Sequence, residues 1–319
     1  MRLSKSGLGL GALLAIAVGA LIAFSQKQAI ADWWELRGYA PPRDIVTLAN
    51  QDTFTPSARH VFYVNHPQLI GDVAGFRQSC NFSEQTIVLG CYHPKQLGID
   101  IYNIADQRLN GVVQVTAAHE LLHAAYDRLS SKEKQTIDAQ LIDFYEHNLD
   151  DKRVHQTVDL YKKTEPNEVV NEMHSVFATE IGTLPQPLEN YYKRYFSDRS
   201  TIAQLAAGYQ SEFTTRIDQI NAYDEQLADM KKQIEIDEQS LSIQLQGLEA
   251  DRASIERSGS FSVIQRYNAR VSAYNAGVRR LQKEISDYND LVEKRNTLAT
   301  ELRGLQGLID TRLTTQPAE

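Results

Sequence analysis

Val115-Thr116-Ala117-Ala118-His119-Glu120-Leu121-Leu122-His123-Ala124-Ala125-Tyr126-Asp127 is the stretch on which the fold turns. No glycine or proline interrupts the chain between Val112 and Ser130, and the Ala and Leu content favours a helix there. On that helix His119 and His123 stand four residues apart and share a face, so two imidazoles can reach one metal ion. Glu120 follows the first His directly, where it can polarise a metal-bound water without being a ligand. The bland alternative is a helix whose histidines are merely packed. The apolar, small flanks favour a buried site helix, since a solvated one would carry Lys and Glu here.

A catalytic zinc generally keeps three protein ligands and leaves a fourth position open. The run Asn171-Glu172-Met173-His174-Ser175-Val176-Phe177-Ala178-Thr179-Glu180 offers two carboxylates on nearly the same helical face, Glu172 and Glu180. Position in the sequence leaves both open as the third ligand. Glu180, or Asp127 one turn beyond His123, can otherwise hold an imidazole N–H from outside the ligand set. His174 points away from the Glu172 face and reads as a packed His or as a donor to a substrate oxygen.

The spacing His-Glu-x-x-His is that of the zinc metallopeptidases. No third His follows His123 at the short spacing of the metzincins. The chain instead resembles the gluzincins, whose third ligand is a Glu on a later helix. Their pattern Asn-Glu-x-x-Ser-Asp is matched by Asn171, Glu172 and Ser175, and departs at Val176, where thermolysin-like members carry an Asp that orients the first His. The resemblance covers about Val115–Glu180. It implies one zinc held by His119, His123 and Glu172, with Glu180 the rival third ligand. It further implies peptide hydrolysis through a zinc-bound water with Glu120 as general base, and an oxyanion donor among His174, Tyr191 and Tyr192. In gluzincins an edge strand also pairs with the extended substrate backbone. The whole arrangement is similar to that of membrane-anchored His-Glu-x-x-His proteins of bacteria.

At 319 residues the chain has room for one full domain and an extension. A net charge of −8 without any basic cluster argues against a nucleic-acid partner. Arg2 and Lys5 precede Gly7–Phe24, a stretch free of polar side chains and just long enough to span a bilayer. The leading basic residues orient such a helix with the body of the protein outside. The expectation is a retained signal anchor with Trp33-Trp34 at the outer interface. The alternative is secretion after cleavage near Ala31, in Ala29-Ile30-Ala31. An exported body suits a disulfide between the two cysteines, Cys80 and Cys91, which would stabilise by about 3 kcal/mol in the chain-entropy picture. Metal binding by Cys91-Tyr92-His93 is the weaker alternative.

Strand-like runs appear at His60–Val64, Thr86–Tyr92 and Gly98–Ile104, the last with period-two alternation. From Asn110 the pattern is helical almost to the end, with Asn110–Leu129 the metal helix and Ser130 capping the next. Expected helices at Asp151–Lys162, Glu165–Ile181 and Pro185–Asp198 follow. In Thr201–Leu313, Ile220, Leu227, Ile234, Leu241, Leu248 and Ile255 recur every seven residues. After Arg257-Ser258-Gly259-Ser260 a second run continues through Ile264, Tyr267, Val271, Tyr274, Val278, Leu281, Ile285, Tyr288 and Val292. Two heptad helices joined at their midpoint predict an antiparallel coiled-coil hairpin, roughly 80 Å long at about 1.5 Å per residue.

The expected fold is therefore α+β and mostly α overall. Residues 1–31 are the anchor or signal peptide, 32–198 a small sheet and a helical metallopeptidase-like domain, 199–313 the hairpin and 314–319 a tail. The expected function is a membrane-anchored, extracytoplasmic zinc metallopeptidase acting on a peptide or protein substrate. The alternative is an inactive envelope scaffold or adaptor whose coiled-coil arm binds a protein partner.

Overall fold

A computed structural model describes residues 26–80, 87–94 and 97–312. The expected anchor Gly7–Phe24, Thr86 of the second expected strand and the tail 314–319 lie outside the described residues. Among the described residues no helix is long and apolar enough to cross a membrane. The chain forms two compact units: residues 1–209 together with 309–319, and residues 210–308.

The first unit opens with three helices, α1 (Lys27–Leu36), α2 (Arg43–Gln51) and α3 (Pro56–Val64). The third replaces the strand expected at His60–Val64. Thr55 accepts a hydrogen bond from the Ala58 N–H and Pro56 occupies the first turn, so a helix is started before the β-branched run begins. Ala58 and Phe62, one turn apart, then bury fully. Helix α1 is tied down by Asp32, which accepts two hydrogen bonds from Arg128 at 2.8 and 3.0 Å and lies 2.8 Å from His60 Nε2. Ala29-Ile30-Ala31 lies inside this helix, and Trp33 and Trp34 are more than half exposed.

The sheet comprises β1 (Gln68–Ile70), β2 (Gly90–His93) and β3 (Gly98–Tyr102), with α4 (Val73–Ser79) between the first two. Strand β3 is central: β1 runs parallel to it with Leu69 opposite Ile101, and β2 antiparallel with Cys91 opposite Asp100. Ile99 and Ile101 bury on one face as the alternation predicts, while Asp100 points to the other face, where α4 lies. The disulfide Cys80–Cys91, with Cα atoms 5.9 Å apart, joins the end of α4 to β2.

Five helices follow: α5 (Val112–Asp127), α6 (Ser131–His147), α7 (Lys152–Thr164), α8 (Val169–Glu180) and α9 (Gln186–Tyr192). Helix α5 is buried on nearly every side, with Ala117, Ala118, Leu121, Leu122 and Ala124 wholly enclosed. An all-round apolar helix of this kind belongs at the centre of a core. It packs along α8 and against α3, β2 and β3. The capping box at Ser130 and Glu133 is formed as the sequence predicts. Helix α8 begins later than expected, at Val169, because Pro166 sits in a turn ahead of it.

The far end of α8 is closed by Arg199, the first residue of α10 (Arg199–Ser258). Its buried guanidinium donates to the carbonyls of Ala178, Ile181 and Gly182 and pairs with Glu189. Terminal carbonyls that have no partner within a helix are thereby satisfied. The last described residues also belong to this unit: Thr311 Oγ1 donates to the Val88 carbonyl at 2.6 Å, and Arg77 Nε donates to the Thr311 carbonyl at 2.5 Å.

The second unit is the hairpin of α10 and α11 (Phe261–Ile309), turning at Gly259 with φ +51°. Its antiparallel pairing is written in four cross-helix ion pairs: Arg216–Glu301, Asp224–Arg295, Asp237–Arg280 and Asp251–Arg270. As the first member climbs α10, its partner descends α11 in step. Ile220, Leu241 and Leu248 of the heptad row are buried. Ile264 and Ile285, expected on the seam of α11, are each 37% exposed.

Candidate metal centre

Helices α5 and α8 cross so that His119, His123 and Glu172 face one another. Their donor atoms all lie within 4.8 Å, a group able to hold a metal ion. His119 Nε2 is 3.4 Å from Glu172 Oε2, and His123 Nε2 is 3.4 Å from Glu172 Oε1. Ligand atoms around a tetrahedral zinc, with bonds of about 2.0–2.2 Å, stand about 3.3–3.6 Å apart, so these distances fit. Glu172 Oε2 is buried and, among the described residues, has no hydrogen-bond partner of good geometry, so it is free to accept a cation. Burial acts to raise the Glu172 carboxyl, but His123, His119 and the neighbouring Tyr161 hydroxyl outweigh it and hold it at about 2.

His123 is held by its other nitrogen. Asn171 Oδ1 lies 3.0 Å from Nδ1 and itself sits beside Glu168, to which Asn171 Nδ2 donates. An Nδ1–H donated to Asn171 leaves the Nε2 lone pair directed at Glu172. Ser175 Oγ is 3.5 Å from the same Nδ1. Asn171, Glu172 and Ser175 thus gather around one imidazole, while Val176 is buried in the core.

Glu120 is 6% exposed and faces β2. A side chain at Gly90 would place its Cβ 2.8 Å from Glu120 Oε1 and 2.6 Å from Thr116 Cγ2, so the strand can approach only as glycine. Burial raises the Glu120 carboxyl to about 7; the Glu172 charge adds to this, and His123 and the Tyr92 backbone N–H oppose it. A carboxyl poised there takes up and releases a proton near neutrality.

The remaining expected site residues lie elsewhere. Glu180 is ion-paired with Arg153 of α7 and is outside the three-donor group. Asp127 stands beside the Tyr92 hydroxyl and 4.0 Å from Lys134, with the imidazole Nδ1 of His123 served by Asn171 instead. His174 and Tyr192 are wholly buried. His174 Nε2 meets Tyr191 Oη at 2.9 Å, Tyr192 Oη donates to the His174 carbonyl, and rings of Tyr126 and Tyr195 complete the enclosure. Burial drives His174 down to about 3, so it is neutral and sealed from any substrate. Tyr161 was not legible in the sequence. Gly90 had a signal, a glycine inside a strand pattern, which marks close approach of a backbone.

A cleft of about 710 Å³ lies at the other end of α5, lined by Asp44, Gln51, Asp106 and Gln114, and none of the three donors lines it. Comparison with known proteins returns no similarity: no family model, no curated protein and no solved structure matches the chain.

Proposed function

We propose that this chain is a zinc-dependent metallopeptidase. The observation that carries the reading is the convergence of both imidazole Nε2 atoms, each 3.4 Å from a different oxygen of Glu172, with a buried glutamate next in sequence to the first His. Two nitrogens and one carboxylate suit zinc, and three donors leave a position for water or substrate. When bound, the ion supplies Lewis acidity and an acidified water. Glu120 supplies the base. Held between the Tyr92 N–H and the surface left open by Gly90, it accepts the proton released by the attacking water and returns it to the leaving amine. Asn171 fixes the tautomer of His123, and Tyr161 steadies Glu172.

The substrate of this reading is a peptide or protein, and the place of action is outside the cytoplasm, with Gly7–Phe24 as the anchor. Metal analysis and a cleavage assay test it on wild type, Glu172→Ala and Glu120→Gln. The expected result is close to one zinc per chain in wild type and in Glu120→Gln, and none in Glu172→Ala. Hydrolysis of an unfolded protein substrate should appear in wild type alone. A wild type that takes up no zinc after reconstitution overturns the reading and leaves an envelope adaptor acting through its coiled-coil arm.

A further inference from the structure

A second group of donors stands on the opposite face of the same sheet. Cys80 and Cys91, joined as a disulfide, share it with His93 and Asp100, and the four donor atoms lie within 4.8 Å of one another. His93 Nε2 is 3.2 Å from Cys91 Sγ and 3.1 Å from Asp100 Oδ2. These are close to the edges of a tetrahedron around one ion, as at the His119 group. Ser79 Oγ donates to Asp100 Oδ2 and so fixes the carboxylate from outside the four. Three of the donors come from paired strands, with Cys91 directly opposite Asp100 in the register, so their spacing is set by the sheet. Cys80 and Asp100 are buried, while His93 keeps a quarter of its side chain open to solvent and gives the ion a way in.

We infer that Cys80, Cys91, His93 and Asp100 form a closed, four-ligand divalent-metal site that replaces the disulfide when a dithiol reduces it. The chemistry balances. The dithiol gives two electrons and two protons to the S–S bond, becoming a cyclic disulfide, and two thiols are formed. Each thiol releases its proton as a thiolate–metal bond forms. Two thiolates, one imidazole and one carboxylate favour zinc, and four protein ligands mark a structural site. The ion would then do the work of the disulfide, tying α4 to β2. The same strand carries Gly90 and Tyr92 against Glu120, so the site holds the wall of the first centre in either redox state.

Cobalt distinguishes the two centres, because only this one contains sulfur. The whole chain is reduced with a dithiol, freed of it without oxygen, and titrated with Co²⁺ in wild type, His119→Ala, His93→Ala, Asp100→Asn and Cys80→Ser. Sulfur-to-cobalt charge-transfer absorption should grow to one equivalent in reduced wild type and in reduced His119→Ala, be absent from oxidised protein, and fall by about half per bound ion in Cys80→Ser, which keeps one thiolate. His93→Ala and Asp100→Asn should weaken the binding by more than the roughly 100-fold that outer partners cost. No sulfur–cobalt band in the reduced protein overturns the inference, as does a band whose affinity His93→Ala and Asp100→Asn leave unchanged. Failure of the wild-type His119 centre to take up metal counts against the peptidase reading and leaves this site untouched.

Discussion

Gly90 sets the position of the Glu120 side chain through the atom it lacks. A methyl group there would stand 2.7 Å from Glu120 Cγ, and nothing but displacement of that side chain or of β2 relieves it. In the proposed peptidase, Gly90→Ala should therefore keep the metal and lower hydrolysis on the order of 100-fold, the scale of a misplacement near 1 Å; metal analysis beside a cleavage assay checks it. Asn171→Ala removes the acceptor that orients His123, and the zinc affinity of the proposed centre should fall about 10–100-fold in a competitive chelator titration. Asp52 is a different case. It is fully buried, both carboxylate oxygens lack a hydrogen bond, and burial lifts it well above its ordinary 3.8. The folded chain keeps a proton that the unfolded chain releases, so this contribution to stability is whole below about pH 4. It is lost as pH rises, at about 1.4 kcal/mol per unit. Asp52→Asn should abolish that fall, and the difference from wild type in urea unfolding should grow in favour of the variant as pH rises above 4. His119 and His123, two of the three candidate donors, were legible with Glu120 because the three carry their geometry in their spacing. Tyr161 was not, because nothing local relates a tyrosine on α7 to a carboxylate on α8.

Helices with explicit ends were read well, and elements decided by tertiary contact were not. Ser130 and Glu133 announce α6 through two reciprocal hydrogen bonds within four residues, which is local information. The run His60–Val64 has the composition of a strand, yet it became the last turn of α3 because Thr55-Pro56 starts a helix and Ala58 and Phe62 fill the core. Strand β1 escaped notice because three residues are too few to show alternation, and its identity comes from pairing with β3. The end of α8 depends on a residue nineteen positions beyond its last turn. Arg199 binds three terminal carbonyls and Glu189 in a dry setting, and removing it strands all of them. Arg199→Ala should cost about 3–5 kcal/mol in denaturant unfolding, and Arg199→Lys should recover only part of it, since an ammonium cannot serve the same fork of acceptors.

For the whole molecule, the sequence announced two bodies through a change of period, from irregular apolar spacing to heptads. The break at Gly259 is where it was expected, whereas Ile264 and Ile285, expected on the seam of α11, are exposed. Because Arg216 meets Glu301, the two ends of the hairpin are neighbours. Replacing residues 210–308 by a short flexible linker should thus leave the first unit folded, by circular dichroism and denaturant unfolding. A collapsed first unit would show that the arm is part of its stability. The contact between Thr311 and Val88 spans 223 positions of sequence, and among contacts within the first unit such separation normally means slow folding. Here the intervening chain zips upon itself from a local turn, so the distance that diffusion must close shrinks to that between the two feet of the arm. Thr311 thereby reaches Val88, two residues ahead of β2, as though it were a near neighbour.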